Sequence, residues 1–265
     1  MYVMAWRCTP FCGLNLKHQY VGDVSDYRKY ALLRALSWGG ANRIGVNWML
    51  TPSDGSSDGG KLAYLKQPDR YRHFDPELFD ILAHAADEPD RRRLQTIEDS
   101  SAIAGATYFS ELLPDQAAAR SAFIERCASA FRSADLVFFD PDNGLETSLL
   151  KGRKNSSKYL YLDEVGVFYA SRTAVLVYQH FPRIERRAFL ASCIERLRRV
   201  ASDALVWTFT TAHVVFFLVL HPESPARLAI AATEACGRWD DGFIAGRYVG
   251  APRIGATIID SEIRV

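Results

Sequence analysis

Cysteine is sparse in this chain. The five residues Cys8, Cys12, Cys127, Cys193 and Cys236 are odd in number and scattered over 265 positions. That excludes a disulfide framework and suits reduced thiols in a cytoplasmic compartment. Cys8 and Cys12 have no second ligand pair at the spacing of a tetrahedral zinc site. Long apolar runs are also absent, and the longest, Val214 to Leu220, is far too short to span a bilayer, so no membrane partner is expected. Neither sign of charge dominates: 32 basic against 31 acidic residues leave a formal charge of +1. Nothing therefore draws the whole molecule to nucleic acid, and any such contact has to come from local basic segments. Residues 1–16 are mildly apolar, are interrupted by Arg7 and Pro10, and carry no cleavage site, so they read as a poorly ordered extension. Residues 17–265 read as one domain without internal repeat or linker, and no pattern specifies an oligomer.

What is present is an alternation of helix and strand signals. Asp23 or Ser25 can cap a helix that runs to about Trp38 and stops at Gly39-Gly40. Ile44 to Leu50 reads as a strand, followed by the Gly/Ser/Asp loop Thr51 to Gly60. Asp75-Pro76-Glu77 starts a helix with the stripe Leu78, Ile81, Leu82 and Ala85, which ends in a charged surface turn from Asp87 to Arg93. Leu94 to Pro114 has no clear period beyond a short strand at Ala106 to Phe109. Ala119, Phe123, Cys127 and Ala130 then mark a helix leading into the strand Asp135 to Phe139. Lys151 to Lys158 is a basic loop, expected to be mobile. Thr173 to Tyr178 is a β-branched strand, and Pro182 opens a helix with the stripe Leu190, Ile194, Leu197 and Ala201 and a face bearing Arg186, Arg187, Arg196 and Arg199. Leu205 to Phe209 and His213 to Leu220 are close enough to form an antiparallel hairpin. The expected class is α/β: a Rossmann-like, mainly parallel sheet with helices on both faces and a terminal antiparallel hairpin.

In such a sheet the carboxyl ends of buried parallel strands deliver residues to a ligand crevice. Leu136 to Phe139 ends in Asp140-Pro-Asp142-Asn143-Gly-Leu-Glu146, a carboxylate-rich turn. Lys29 shares a helical stripe with Leu32, Leu33 and Leu36, so its ammonium must reach water, pair with Asp26, or point into a cleft. Tyr178 and His180 follow a strand at the same edge, where His180 can act as acid or base. Trp48 ends another strand and offers a ring for stacking, against the commoner role of a core tryptophan.

Tyr20-Val-Gly22-Asp23-Val-Ser-Asp26-Tyr-Arg-Lys29-Tyr30-Ala-Leu-Leu33 resembles the opening motif of the bacterial large-ribosomal-RNA adenine methyltransferases of the J type. The closing strand pair is similar to the reversed hairpin of class I S-adenosylmethionine-dependent methyltransferases. The same opening, together with the Asp-Pro-Asp-Asn-Gly-Leu-Glu turn, also resembles bacterial proteins of unassigned activity. The first resemblance implies S-adenosylmethionine as cofactor, Lys29 in the active centre, and Asp140-Pro141 as the start of an Asp-Pro-Pro-Tyr motif; Asp142, in the same turn, is a further catalytic candidate. Asp23, Trp48, Asp58 and Gly59 would then lie toward the cofactor, and Asn143, Tyr178 and His180 toward a nucleic-acid substrate. Two departures stand out: Asp142 and Asn143 replace the Pro-Tyr that would supply a stacking ring, and Leu50 to Lys61 replaces the usual glycine-rich loop. Two other readings remain open. Asp140, Asp142 and Glu146, with Asp163 or Glu164, could bind Mg²⁺ for phosphodiester hydrolysis, with phosphates held by the basic loop and the arginine-rich helix. A catalytically degenerate module that binds a nucleotide or a partner is the third.

Overall fold

Side chains on successive strand residues point to opposite faces, so a strand covered on both sides must be apolar throughout. Leu136, Val137, Phe138 and Phe139 are all fully buried, and they divide between two cores: Leu136 and Phe138 on one face, Val137 and Phe139 on the other. The same division runs through Thr173 to Tyr178 and Val214 to Leu220. The computed structural model describes residues 22–52, 61–87 and 93–250. The expected extension, Cys8, Cys12, Asp58 and Gly59 lie outside them.

Seven strands form one mixed sheet: β1 (Ile44–Asn47), β2 (Ala106–Phe109), β3 (Leu136–Phe139), β4 (Ala174–His180), β5 (Leu205–Thr210), β6 (Val214–Leu220) and β7 (Ala245–Gly250), in the order β2-β1-β3-β4-β6-β5-β7. β2, β1, β3 and β4 pair in parallel; β6 runs antiparallel between β4 and β5, and β7 lies antiparallel on the outer edge of β5. β5 therefore points the same way as β4, and the reversed hairpin expected from Leu205 to Leu220 is present. The helices are α1 (Val24–Ser37), α2 (Pro68–Tyr71), α3 (Pro76–Asp87), α4 (Leu94–Asp99), α5 (Ala117–Ala130), α6 (Leu162–Ala170), α7 (Arg186–Val200) and α8 (Ala226–Cys236). α1, α3, α4 and α8 pack on one face of the sheet, and α5, α6 and α7 on the other. No helix among the described residues is long and apolar enough to cross a membrane. Cys127, Cys193 and Cys236 are free thiols.

Several local expectations need correction. The first strand ends at Asn47 and does not reach Leu50. Asn47 Oδ1 accepts the Met49 N–H at 2.9 Å, and Met49 takes a left-handed φ of 47°, so the backbone bonds to its own side chain and turns out of the sheet. The helix after β4 begins at Arg186, well past Pro182, because Glu185 caps it by accepting from the N–H groups of Arg187 and Ala188. On α5 the buried stripe is Arg120, Phe123, Ile124 and Cys127, whereas Ala130 is exposed. The loop expected to be mobile, Lys151 to Lys158, is anchored. Asp115 accepts from the N–H groups of Asn155 and Ser157 at 2.8 and 2.7 Å, and Ser156 and Ser157 are buried.

Candidate active site

α1 runs into β1 from the opposite direction, so its first turn lies at the sheet edge where β1, β3 and β4 end. Asp23 caps that turn, accepting from Ser25 N–H and Asp26 N–H at 2.7 and 2.9 Å. Lys29, one turn further, is 7% exposed and donates to two carboxylates: Asp26 Oδ1 at 2.9 Å and Asp140 Oδ2 at 2.6 Å. The second bond joins residues 111 positions apart and ties the helix to the turn after β3. Asp26 is held in turn by the N–H of Gly22 and the hydroxyl of Tyr30, each at 3.1 Å. The Tyr178 ring, from the end of β4, lies 5.1 Å from the Lys29 ammonium.

These groups line a cavity of about 890 Å³, together with Trp48 to Thr51, the turn from Asp140 to Thr147, and Tyr178 to Pro182. Its volume lies in the range that takes a cofactor-sized ligand. Asp23, Asp26, Lys29, Trp48, Asp140, Asp142, Asn143, Tyr178 and His180 all border it, whereas Asp163 and Glu164 do not.

The electrostatics follow from a surplus of carboxylates over cations in a poorly solvated place. Burial pushes the Asp140 carboxyl up to about 6, against the pull of Lys29, with Asp26 and Asp142 adding to the rise. Asp23 is also raised, by burial and by Asp26. Burial alone would lower Lys29, but Asp140 and Asp26 more than offset it and hold the ammonium charged. Burial and the Lys29 charge lower His180, which stays neutral at the cavity mouth. The site is thus a protonated lysine under an excess of acid, with Asp140 near its midpoint around pH 6.

The carboxylates do not assemble as a magnesium site. Glu146 accepts the N–H of Leu162 and faces Arg196 at 3.8 Å, Asp163 binds Lys151 at 2.6 Å, and Glu164 is clamped by Arg120 at 2.5 Å. Among the described residues no group of three or more His, Cys, Asp or Glu side chains is placed to hold a metal ion. The ligand set Asp140, Asp142 and Glu146 is corrected accordingly: Asp140 is drawn to Lys29, Asp142 to the Thr51 hydroxyl, and Glu146 to Leu162 N–H and Arg196. Trp48 is a core residue that borders the cavity, stacked on Tyr108 with its N–H donating to Glu98 at 2.8 Å.

Sequence reasoning missed the residues that hold the acidic turn. The Gln179 side chain, almost fully buried, accepts from Leu145 N–H at 2.7 Å and donates to the carbonyls of Asn143 and His180. Gly144 has a φ of 89°, and a Cβ there would meet Gln179 Oε1 at 2.2 Å. Gly144→Ala is therefore expected to cost about 2–3 kcal/mol from the left-handed backbone and the displaced glutamine, read by urea denaturation. A loss below half a kcal/mol would show that the turn adapts freely. Thr51 donates to Asp142 Oδ2 at 2.9 Å, and Asn143 N–H to the Lys158 carbonyl at 2.8 Å, so the turn is braced from the segment after β1, from β4 and from the 156–160 segment together.

No protein-family model matches the chain, and no curated protein matches it. Among solved structures it is similar to the crystal structure of a Legionella pneumophila protein of the family model DUF519, at 10% identity and a TM-score of 0.43, over 88% of this chain and 98% of that one.

Proposed function

We propose that the cleft binds S-adenosylmethionine and presents a nucleophilic nitrogen, most simply an exocyclic amine of a nucleic-acid base, to its methyl group. The observation that carries this reading is the Lys29–Asp140 link inside the large cavity at the carboxyl edge of the parallel strands. The donor set around Lys29 fits such a cofactor: Asp26 and Asp140 contact the lysine, Asp23 and Asp142 share the lining, and together they suit a ligand bearing an ammonium and a sulfonium. When bound, the cofactor supplies an electrophilic methyl group. The chain's own residues do the rest. Asp140 accepts a hydrogen bond from the amine and aims its lone pair, and Lys29 and Gln179 keep Asp140 and the turn behind it in place. Asn143 leaves the turn without an aromatic ring, but Tyr159 and Phe181 bring half-buried rings to the same cavity from neighbouring segments. Lys61 and Lys158, also in the lining, are local cations suited to phosphates.

Calorimetric titration of the full chain with S-adenosylmethionine and S-adenosylhomocysteine tests this directly. Saturable binding of both without added metal is expected, weakened about tenfold or more in Lys29→Met, which leaves buried carboxylates unpaired. No heat at millimolar ligand, with the protein folded by circular dichroism, would reject the reading.

A further inference from the structure

A second cavity, of about 340 Å³, lies between α1, the α2 segment and the turn that precedes β7. Its chemistry differs from that of the cleft. Arg28 and Arg70 supply two cations, His73, Phe74 and Phe243 supply rings, and Asp240 is the one carboxylate in the lining. That carboxylate is already engaged, accepting Phe243 N–H at 2.9 Å.

The two arginines are unusual within their surroundings. Nearby Arg34 binds Asp75 and Glu77, and Arg72 binds Asp80. Among the described residues neither Arg28 nor Arg70 makes an ion pair within 4 Å, and Asp23 acts on Arg28 only at longer range. Among the described residues Arg28 donates one bond, to the Gly242 carbonyl at 3.2 Å, and lies 5.6 Å from the centre of the Phe243 ring, while its buried Nε has no hydrogen-bond partner there. A buried guanidinium N–H without an acceptor costs free energy that an incoming anion would recover. Arg70 sits over Tyr71 at 5.2 Å with its hydrogen-bonding edge free for solvent or ligand.

Two of the rings stack: Phe243 lies on Phe74 at 4.1 Å with 9° between planes. His73 sits beside Phe74 at 4.0 Å, tilted by 40°. Phe243 is buried and Phe74 half-buried, whereas the His73 imidazole beside them is exposed. Two arginines without a close ion pair beside an exposed imidazole match one ligand chemistry: a phosphate to satisfy the guanidinium N–H groups and a planar base to lie against the ring.

We propose that this cavity is a nucleoside-monophosphate site, separate from the acidic cleft, in which Arg28 and Arg70 hold the phosphate and His73 stacks on the base. The phosphate can belong to a free nucleotide or to one residue of a single strand.

The test is calorimetry on the full chain with adenosine monophosphate, adenosine, inorganic phosphate and a short single-stranded oligonucleotide. The monophosphate is expected to bind more tightly than adenosine or phosphate alone. Arg70→Gln changes an exposed side chain without a side-chain hydrogen-bond partner among the described residues, so it leaves folding intact; it should weaken the monophosphate about fivefold, and Arg28→Gln about tenfold. A saturating amount of S-adenosylhomocysteine should leave this binding in place, and Asp140→Asn should not alter it. Tighter binding of the oligonucleotide, lost in the same variants and steeply salt-dependent, assigns the site to a strand; equal or weaker binding assigns it to a free nucleotide. Monophosphate affinity unchanged in Arg70→Gln, or competed by S-adenosylhomocysteine, would overturn the proposal, as would absence of binding.

Discussion

Asp140→Asn is expected to abolish activity and, at the same time, to make the protein more stable at neutral pH. The two effects share one cause. The Asp140 carboxyl titrates near 6 in the fold against an ordinary 3.8, so the folded protein favours its protonated form. A folded value above the unfolded one contributes stability that is complete below 3.8 and disappears as the pH climbs through about 6. At pH 7 the ionised carboxylate is thus a burden of about 3 kcal/mol, by the usual equivalence of pKa and free energy. Asparagine imitates the protonated acid in shape and stays neutral, and Lys29 keeps Asp26 as its counter-ion. Denaturation of both proteins from pH 4 to pH 8 should show nearly equal stability at the acid end, with the variant drawing ahead up to about pH 6 and holding a steady lead above it. A constant difference at every pH, or a variant less stable at pH 7, would show that Asp140 is held ionised and structural. Under the proposed reaction, turnover should fall by about a hundredfold or more, since asparagine accepts a hydrogen bond less strongly and cannot take up a proton.

Arg120→Met is expected to produce the largest loss of stability. Arg120 is 1% exposed, Glu164 is 3% exposed, and they meet through two bonds, Nε to Oε1 at 2.5 Å and Nη2 to Oε2 at 2.8 Å. The remaining donors reach the carbonyls of Ser156 and Tyr159. Removing the guanidinium leaves a buried carboxylate and two carbonyls short of partners, a situation that costs about 3–5 kcal/mol. The consequence extends to the cleft. Residues 158–160 pair with the acidic turn, through Asn143 N–H to Lys158, Leu160 N–H to Gly144 and Glu146 N–H to Leu160. Loosening that segment should therefore reduce ligand affinity in whatever fraction remains folded. Adding Glu164→Leu to Arg120→Met should recover part of the stability, because the stranded charge is then gone, but should not recover the affinity. Guanidinium denaturation of the single and double variants checks the first statement and ligand titration the second. A loss under 1 kcal/mol in the single variant would mean that Lys151, 3.3 Å from Glu164, suffices to neutralise it.

The residues that make up the site were legible one at a time from local irregularities. Lys29 stood out as a charge inside an apolar helical stripe, and Asp140 as the acid that ends an unbroken apolar strand. Arg120 carried the same signal, a charge at i of an i, i+3, i+4, i+7 stripe with Phe123, Ile124 and Cys127, yet the alanines at 119 and 130 offered a rival stripe of equal spacing. Burial decided between them. Gln179 carried no such signal, since a polar residue at a strand end is ordinary and its importance arises only from the close approach of Gly144.

Periodicity and turn chemistry act over a few residues, and so the amino-acid order by itself determined the buried strands, a helix start at Asp23 or Ser25, the apolar stripes of α1, α3 and α7 and the acidic turn after β3. Which charge meets which lies beyond their reach. A lysine on the first helix can pair with an acid one turn away or with one 111 positions along the chain, and a carboxylate such as Glu146 or Glu164 can join a cluster or turn to an arginine. Only the packing of α1, β3 and β4 around one edge of the sheet made those choices, because a buried charge takes whichever partner the assembled core brings within about 3 Å and excludes from water.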